Sequence, residues 1–179
     1  MGLLIPDLMC DSVYDIPKSY FAQNGIESIF LDIDNTLVSY NDRLPTEKNK
    51  MWLSELAKSG IKVILVSNNS KERVETFAKD LDVDYIHDAR KPLAKAYKSL
   101  IAKHKLDKKH IAVVGDQIFT DVLAGKLIGA LTVVVEPIEK VENTFFKMKR
   151  LGEVPFVAYY RFKHRNDGNI KKKAGESNE

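Results

Sequence analysis

Acidic side chains lie directly behind a run of apolar residues near position 30. The segment IFLDIDNTLV, residues 29–38, places Asp32 and Asp34 two positions apart at the end of a buried-strand pattern. Burying a carboxylate is costly unless it is paired, hydrogen-bonded or bound to a metal. These acids therefore indicate either the beginning of a loop or a site for chemistry, and the other strand ends distinguish the two.

Polar side chains follow two further apolar runs in the same way. Ser67 and Asn68 follow one run, and Asp116 follows another, with Asp121 five residues later. In open parallel sheets, ligands bind beyond the carboxyl ends of the strands. Three strands therefore deliver an acid, a hydroxyl and a second acid to one edge, which is the arrangement expected of a functional site.

The types of these side chains indicate a divalent cation and a phosphate. Clustered carboxylates repel one another unless a cation lies among them, and oxygen ligands without a nearby His or Cys select Mg²⁺. Lys91 adds a fixed positive charge, and Pro92 disfavours helix at the lysine, which places Lys91 in a loop that enters a helix. A metal, a lysine, a hydroxyl and exposed backbone N–H groups together predict a phosphoryl site.

The elements that position these residues alternate between strands and helices. Apolar, β-branched runs predict strands at 28–31, 63–66, 111–114 and 131–135, with a weaker one at 83–86. Helix patterns begin after Thr46, after Ser70, at Pro92 and at Thr120. The third helix is expected to turn inward Leu93, Ala96, Tyr97 and Leu100. The alternation predicts an α/β sandwich of three layers around a mainly parallel sheet.

Length and composition are those of one soluble globular domain. The chain has 179 residues, is 44% hydrophobic and 30% charged, and carries a net charge of +3. Cys10 is its only cysteine, which excludes an internal disulfide and favours a reducing compartment, expected to be the cytoplasm. No run approaches the roughly 18 apolar residues that a membrane-spanning helix needs, and we expect no signal peptide.

Two terminal segments lie outside the predicted domain, which spans residues 26–160. Residues 1–25, with apolar Leu3 and Leu4, are expected to pack on the domain or to face a membrane. Residues 161–179 are basic from Arg161 to Lys173 and predict a disordered tail. The alternative is a patch for an anionic membrane, with nucleic acid the less favoured partner.

Four motifs, in this order, resemble those of the haloacid dehalogenase (HAD) superfamily. They are DIDNT at 32–36, SN at 67–68, KP at 91–92 and GD at 115–116 followed by Asp121, within about residues 26–137. The segments LDIDNTLV, VSNN and VGDQIFTDVLAGKLIGALTVVVEPI are similar, more narrowly, to the subfamily IIIA phosphatases of YqeG type. That group is related to a mitochondrial phosphatidylglycerophosphate phosphatase.

The resemblance implies a Rossmann-like HAD core and a role for each residue. It makes Asp32 the nucleophile that forms an aspartyl-phosphate, and Asp34 the general acid and then the general base. Ser67 and Asn68 would contact the substrate, with the Ser67 hydroxyl on a phosphoryl oxygen. Lys91 would hold the charge of Asp32 and of the phosphoryl group.

The resemblance also implies a set of Mg²⁺ ligands. They would be the carboxylates of Asp32 and Asp116 and the backbone carbonyl of Asp34. Asp121 would act through a water or orient the other ligands.

The spacing of the motifs predicts a site without a cap domain. The intervals from Asp34 to Ser67 and from Ser67 to Lys91 hold only a flap, two helices and two strands. An open site favours a phosphate on something large, and phosphatidylglycerophosphate is the substrate we expect. The alternatives are a cytosolic phosphatase of a metabolite or protein and a non-catalytic, receiver-like module, although the absence of an acid after the middle strand argues against a receiver.

Overall fold

Apolar runs of the sequence form a six-stranded parallel sheet in a computed structural model that describes residues 2–139 and 144–164. The strands are β1 (Leu8–Cys10), β2 (Ser28–Leu31), β3 (Lys62–Val66), β4 (Asp84–Ile86), β5 (Ile111–Gly115) and β6 (Leu131–Val135). Their order is β1-β6-β5-β2-β3-β4, and every neighbouring pair is parallel. The central strands β2 and β5 are buried along their whole length, as expected for strands covered on both faces.

Helices cover the sheet on both faces. Those before residue 140 are α1 (Lys18–Gln23), α2 (Glu47–Lys58), α3 (Lys71–Ala78), α4 (Lys95–His104) and α5 (Leu123–Ile128). Alternate residues of β2 separate the two cores: Ile29 packs with the side chains of α1, α2 and α3, and Phe30 packs with those of α4 and α5. The three-layer α/β fold predicted from the sequence is therefore confirmed.

Local sequence signals set the beginnings of α2 and α3. The Thr46 hydroxyl accepts from Asn49 N at 3.1 Å while the Asn49 side chain accepts from Thr46 N at 2.8 Å, which forms a capping box. The Ser70 hydroxyl accepts from Arg73 N at 3.4 Å at the first turn of α3. Both helices begin directly after the caps that the sequence predicts.

The predicted beginning of α4 at Pro92 is wrong by three residues. Leu93 N donates to Arg90 O at 2.9 Å, so the chain makes a turn before α4 begins at Lys95. Leu93 belongs to this turn and is 60% exposed, whereas the sequence placed it on the inward face. Tyr97 and Leu100 are buried as predicted. The segment predicted as a helix from Thr120 to Gly129 is a π-helical turn, Ile118–Val122, followed by α5.

The N-terminal segment contributes to the sheet. Leu8–Cys10 pairs with β6 at the sheet edge, and Leu8, Val13 and Phe21 are buried in the core. The sequence did not predict β1, since a three-residue run next to Pro6 has no recognisable period.

Contacts divide the chain into two compact units, Met1–Lys140 and Val141–Glu179. The second contains α6 (Thr144–Lys163), with Pro155 inside the helix. Arg161 and Lys163 of the predicted tail lie in its last turn, and residues 165–179 lie outside the described residues. The boundaries drawn from the sequence stay predictions. Within the described parts of the chain, no helix has the length and apolar character needed to cross a bilayer.

Candidate active site

The carboxyl ends of β2, β3 and β5 bring the predicted polar residues together. Asp32 follows β2, Ser67 follows β3 and Asp116 follows β5, and all three side chains are buried. Asp121 lies in the π-helical turn after β5 and is buried as well. The edge of the sheet predicted to hold a site therefore does gather the acids and the hydroxyl.

Lys91 lies at the centre of this group as a fixed cation. Its Nζ donates to Asp32 Oδ1 at 2.5 Å and to Asp121 Oδ1 at 2.7 Å, and the lysine side chain is 4% exposed. Burial opposes the charge, but Asp121 and Asp32 raise the pKa of Lys91 well above its usual range. The lysine is thus protonated where an anionic phosphoryl group would gain most from it.

Both oxygens of Asp32 are held by hydrogen bonds. Lys91 holds Oδ1, and the Thr36 hydroxyl donates to Oδ2 at 3.1 Å. Burial raises the pKa of Asp32 to about 6, although the charge of Lys91 acts in the opposite direction. At neutral pH the carboxylate is thus ionised and oriented. Thr36 had no predicted role, and in the sequence only its place in the DIDNT motif indicates that it lies near Asp32.

Asp121 is fixed by contacts on both of its oxygens. Oδ1 accepts from Lys91, and Oδ2 accepts from the Thr120 hydroxyl at 3.1 Å and from Gln117 N at 3.3 Å. A Cβ at Gly115 would lie 2.5 Å from Asp121 Oδ2, so glycine is required at the end of β5. Asp121 is thus held in place by Lys91, Thr120 and the backbone of Gln117.

The carboxylates form a group that fits a divalent cation. One oxygen from each of Asp32, Asp116 and Asp121 lies within 4.8 Å of the others, and all three residues are buried. Together with Asp34, four carboxylates face two cationic side chains, Lys91 and Arg73, which leaves an excess of two negative charges. Hard oxygen donors and this excess charge match Mg²⁺.

Asp34 forms a buried ion pair with Arg73 that was not predicted from the sequence. Arg73 donates to Asp34 Oδ1 from Nε at 3.2 Å and from Nη2 at 2.9 Å. Asp34 Oδ2 accepts from Ser67 Oγ at 3.4 Å and from Asn69 Nδ2 at 3.3 Å. Arg73 lies in the first turn of α3. In the sequence, only its position after the Ser70 cap indicates that its side chain faces the edge of the sheet.

Asn68 is tied to the loop that carries Lys91. Its Oδ1 accepts from Lys91 N at 2.6 Å, and its Nδ2 donates to Lys91 O at 3.3 Å. The Asn68 amide thus positions the backbone from which the Lys91 side chain extends. The contact with substrate that the sequence predicts for Asn68 stays a prediction.

The flap, residues 35–45 between Asp34 and the Thr46 cap, begins with a left-handed residue and carries Tyr40 near the site. Asn35 has a φ of 63°, a conformation that asparagine tolerates better than most residues, and its carbonyl accepts from Ile138 N at 3.1 Å. Further along, burial raises the pKa of Tyr40 to about 12, and the charges of Asp32 and Asp34 act in the same direction. The Tyr40 hydroxyl is therefore a neutral group beside the carboxylates.

A parallel sheet with an acid, a hydroxyl, a lysine and a second acid after successive strands is the arrangement of a hydrolase of HAD type. The chain matches the model of the family described as mitochondrial PGP phosphatase over residues 1–139, and it belongs to that family. The probable phosphatase YqeG of Bacillus subtilis (strain 168) is 33% identical over 149 residues, which are 83% of this chain and 87% of that protein. The protein is therefore a HAD-type phosphatase, a phosphoric monoester hydrolase.

Solved structures share the fold at lower identity. A hypothetical protein from Xanthomonas campestris has a TM-score of 0.53 and 20% identity, over 68% of this chain and 71% of that one. The cobalt-bound deoxy-D-mannose-octulosonate 8-phosphate phosphatase from Haemophilus influenzae has a TM-score of 0.50 and 14% identity, over 76% and 92%. Both likenesses concern the fold alone.

Proposed function

We propose that the protein is a Mg²⁺-dependent phosphatase of phosphatidylglycerophosphate that acts through an aspartyl-phosphate on Asp32. The observation that carries the catalytic part is the state of Asp32, whose two oxygens are held by Lys91 and Thr36 at a buried strand end. Such a carboxylate is ionised near neutral pH and cannot rotate away from an incoming phosphate. These are the properties that a nucleophile needs.

The reaction follows in two half-reactions. An oxygen of Asp32 attacks phosphorus, the bond from phosphorus to the leaving oxygen breaks, and Asp34 gives that oxygen a proton. Water then attacks the aspartyl-phosphate, Asp34 takes a proton from the water, and Asp32 and inorganic phosphate are released. The Ser67 hydroxyl hydrogen-bonds a phosphoryl oxygen, and the charge of Lys91 stabilises the phosphoryl group in both steps.

The acids of the site would hold Mg²⁺. The carboxylates of Asp32 and Asp116 and the backbone carbonyl of Asp34 would bind the ion, with Asp121 orienting the group through its contacts to Lys91 and Thr120. When bound, the ion offsets the excess negative charge and draws electron density from a phosphoryl oxygen.

Two observations support a lipid substrate. The intervals from Asp34 to Ser67 and from Ser67 to Lys91 contain the flap, α2, β3, α3 and β4, so among the described residues nothing larger than the flap is inserted beside the site. An uncapped site accepts a phosphate presented at a surface. The family itself is described as a PGP phosphatase. We therefore propose a phosphomonoester lipid as substrate and an anionic membrane as a peripheral partner.

Phosphate release from two kinds of substrate tests this proposal. Purified protein is assayed with phosphatidylglycerophosphate in anionic vesicles and with a short soluble phosphomonoester, with Asp32→Asn as the blank. We expect faster release from the vesicles, and binding to them at low salt. A clear preference for the soluble compound without vesicle binding would indicate a phosphatase of cytosolic metabolites or proteins instead.

A second measurement tests the acid role of Asp34. General acid–base help contributes roughly 10²–10⁴-fold, so Asp34→Asn is expected to depress turnover by that order. A good leaving group needs less protonation, so the loss in the enzyme-phosphorylation step should be larger for an alkyl phosphate than for an aryl phosphate. Single-turnover kinetics measure that step. Equal losses for both substrates would contradict the acid role.

A further inference from the structure

A polar cavity adjoins the residues that hold Asp34. It has a volume of about 380 Å³, and its lining includes the cationic Arg43 and Arg73, the acidic Glu72 and the polar Tyr40, Asn69 and Ser70. Asn69 and Arg73 also donate to the Asp34 carboxylate, so two residues that line the cavity contact the proposed general acid. A group that leaves the phosphorus beside Asp34 would therefore lie next to residues that line this cavity.

Arg73 is the group that connects the cavity to the acid. Its side chain is 10% exposed, with Nε and Nη2 on Asp34 Oδ1 and Nη1 donating to Arg43 O at 2.9 Å. Asp34 Oδ2 accepts from Ser67 and Asn69, so both carboxylate oxygens act as acceptors. A carboxyl that is to deliver a proton must present an O–H to the leaving oxygen. A carboxyl that carries a proton is uncharged and attracts a guanidinium less than a carboxylate does, so the contact between Arg73 and Asp34 weakens in the state that delivers the proton.

An anion bound in the cavity would weaken the contact between Arg73 and Asp34. A guanidinium binds a phosphate or phosphodiester through two parallel N–H donors, in the same way as it binds a carboxylate. A second anionic group on the leaving alcohol would thus compete with Asp34 for Arg73. Arg43 adds positive charge at the rim, but its side chain is 72% exposed and pairs with Glu72 at 3.6 Å, so its contribution is small.

We propose that Arg73 is a specificity-determining residue that binds a phosphodiester on the leaving alcohol and thereby frees Asp34 to transfer its proton. The proposal rests on the proposed function, because phosphatidylglycerophosphate carries a phosphodiester at the far end of the glycerol from the scissile phosphate. No bond of the diester breaks: the guanidinium exchanges a carboxylate for the diester, and the proton moves from Asp34 to the leaving oxygen.

A matched pair of soluble substrates isolates this role from membrane binding. One is glycerol 3-phosphate, and the other is the same ester with a methyl phosphodiester on the opposite terminal carbon. Wild type is expected to favour the diester by roughly ten- to hundred-fold in kcat/KM, the range of a hydrogen-bonded contact to a charged group. Arg73→Met is expected to abolish that preference, mainly by slowing the diester.

Lys71→Met is the control, because it removes the same charge from the same helix. The Lys71 side chain is 67% exposed, pairs with Glu75 and does not line the cavity. It should keep the preference of wild type. Arg73→Lys, which retains the charge without the fork, should keep part of it, and it replaces Arg73→Met if that variant is unfolded by circular dichroism.

The outcomes separate this proposal from a structural role and from the proposed function. Equal losses on both substrates in the Arg73 variants, an unchanged preference in Arg73→Lys, or no preference in wild type would overturn it. Failure of the proposed function would be seen in a different assay. Wild type would then release no phosphate from phosphatidylglycerophosphate in vesicles while still hydrolysing an aryl phosphate.

Discussion

The two edges of the sheet carry the same kinds of charged side chains in different surroundings. At the carboxyl edge Lys91 pairs with Asp32 and Asp121, and the three side chains are 4%, 8% and 2% exposed. At the amino edge Lys62 pairs with Asp84 at 2.8 Å, and these side chains are 44% and 39% exposed. Access of water is the main difference between the two edges.

This difference in access of water reverses the direction of the pKa shift of the aspartate. Burial raises the pKa of Asp32 to about 6 even though a lysine contacts it, whereas the hydrogen bond from Lys62 lowers the pKa of Asp84. At the exposed edge water solvates the Asp84 carboxylate, so the hydrogen bond from Lys62 determines the direction of its pKa shift. At the buried edge desolvation is the larger effect. A lysine–aspartate pair therefore indicates a reactive site only where the pair is removed from water.

Cavity size does not distinguish the edges in the same way. The cavity at the amino edge is larger, about 580 Å³, and its lining includes the charged Lys50, Lys62, Asp80, Asp82 and Asp84. The cavity beside the site is about 380 Å³. Strand direction explains the discrepancy, since ligands of parallel α/β sheets bind at the carboxyl ends of the strands. Direction and burial, rather than volume, mark the functional edge.

The largest expected effect comes from removing one acid at each edge. Asp32→Asn removes the nucleophile, so phosphatase activity should fall by about 10³-fold or more. Asp84→Asn is the same substitution at the exposed edge and should leave activity within about a factor of two of wild type. Steady-state phosphate release with an aryl phosphate measures both. Substantial activity in Asp32→Asn would remove the covalent mechanism.

Removing the lysine of each pair compares the two edges in stability. Lys91→Met leaves Asp32 and Asp121 buried without their cation and should lower the free energy of unfolding by about 3–5 kcal/mol. Lys62→Met breaks an exposed pair and should cost at most about 1 kcal/mol. Denaturant unfolding without divalent ions gives both values. Similar losses in the two variants would show that burial is not what separates the edges.

Divalent metal should discriminate between the two groups of acids. Mg²⁺ at about 100 times its Kd should stabilise the folded protein by about 2.7 kcal/mol, because it binds the native state only. Thermal melts with Mg²⁺ and with EDTA should show this shift in wild type and in Asp84→Asn but not in Asp116→Asn. A shift lost in Asp84→Asn and kept in Asp116→Asn would place the ion at the wrong edge.

The smallest effect concerns the titration of Asp84. Lys62 lowers the pKa of Asp84 below its usual value of 3.8, so the pair stabilises the fold above that pH and loses its effect as the pH falls through the folded pKa. In Lys62→Met the pKa should rise towards 3.8. Carboxyl chemical shifts in an NMR titration measure it directly. An unchanged pKa would mean that His104 or another neighbour, rather than Lys62, causes the shift.

Much of the fold could be predicted because its signals are local. The β-branched runs of β2, β3, β5 and β6 and the caps at Thr46 and Ser70 lie in short stretches of sequence, and each stretch prefers its conformation through its own side chains. The positions of Asp32, Ser67 and Asp116 at strand ends follow from the same runs. In a parallel sheet this suffices to bring those side chains to one edge.

Contacts between distant segments were decided by the tertiary structure alone. Arg73 and Asp34 are 39 positions apart, and Asp7, next to the unpredicted edge strand, hydrogen-bonds Thr132 at a separation of 125. Neither the ion pair nor the strand has a local pattern, because each is stabilised by a partner that packing brings near. The sequence by itself therefore determined that Asp32, Ser67 and Asp116 reach one edge of the sheet. Packing and the exclusion of water decided which of them pair there, since these depend on every element of the fold at once.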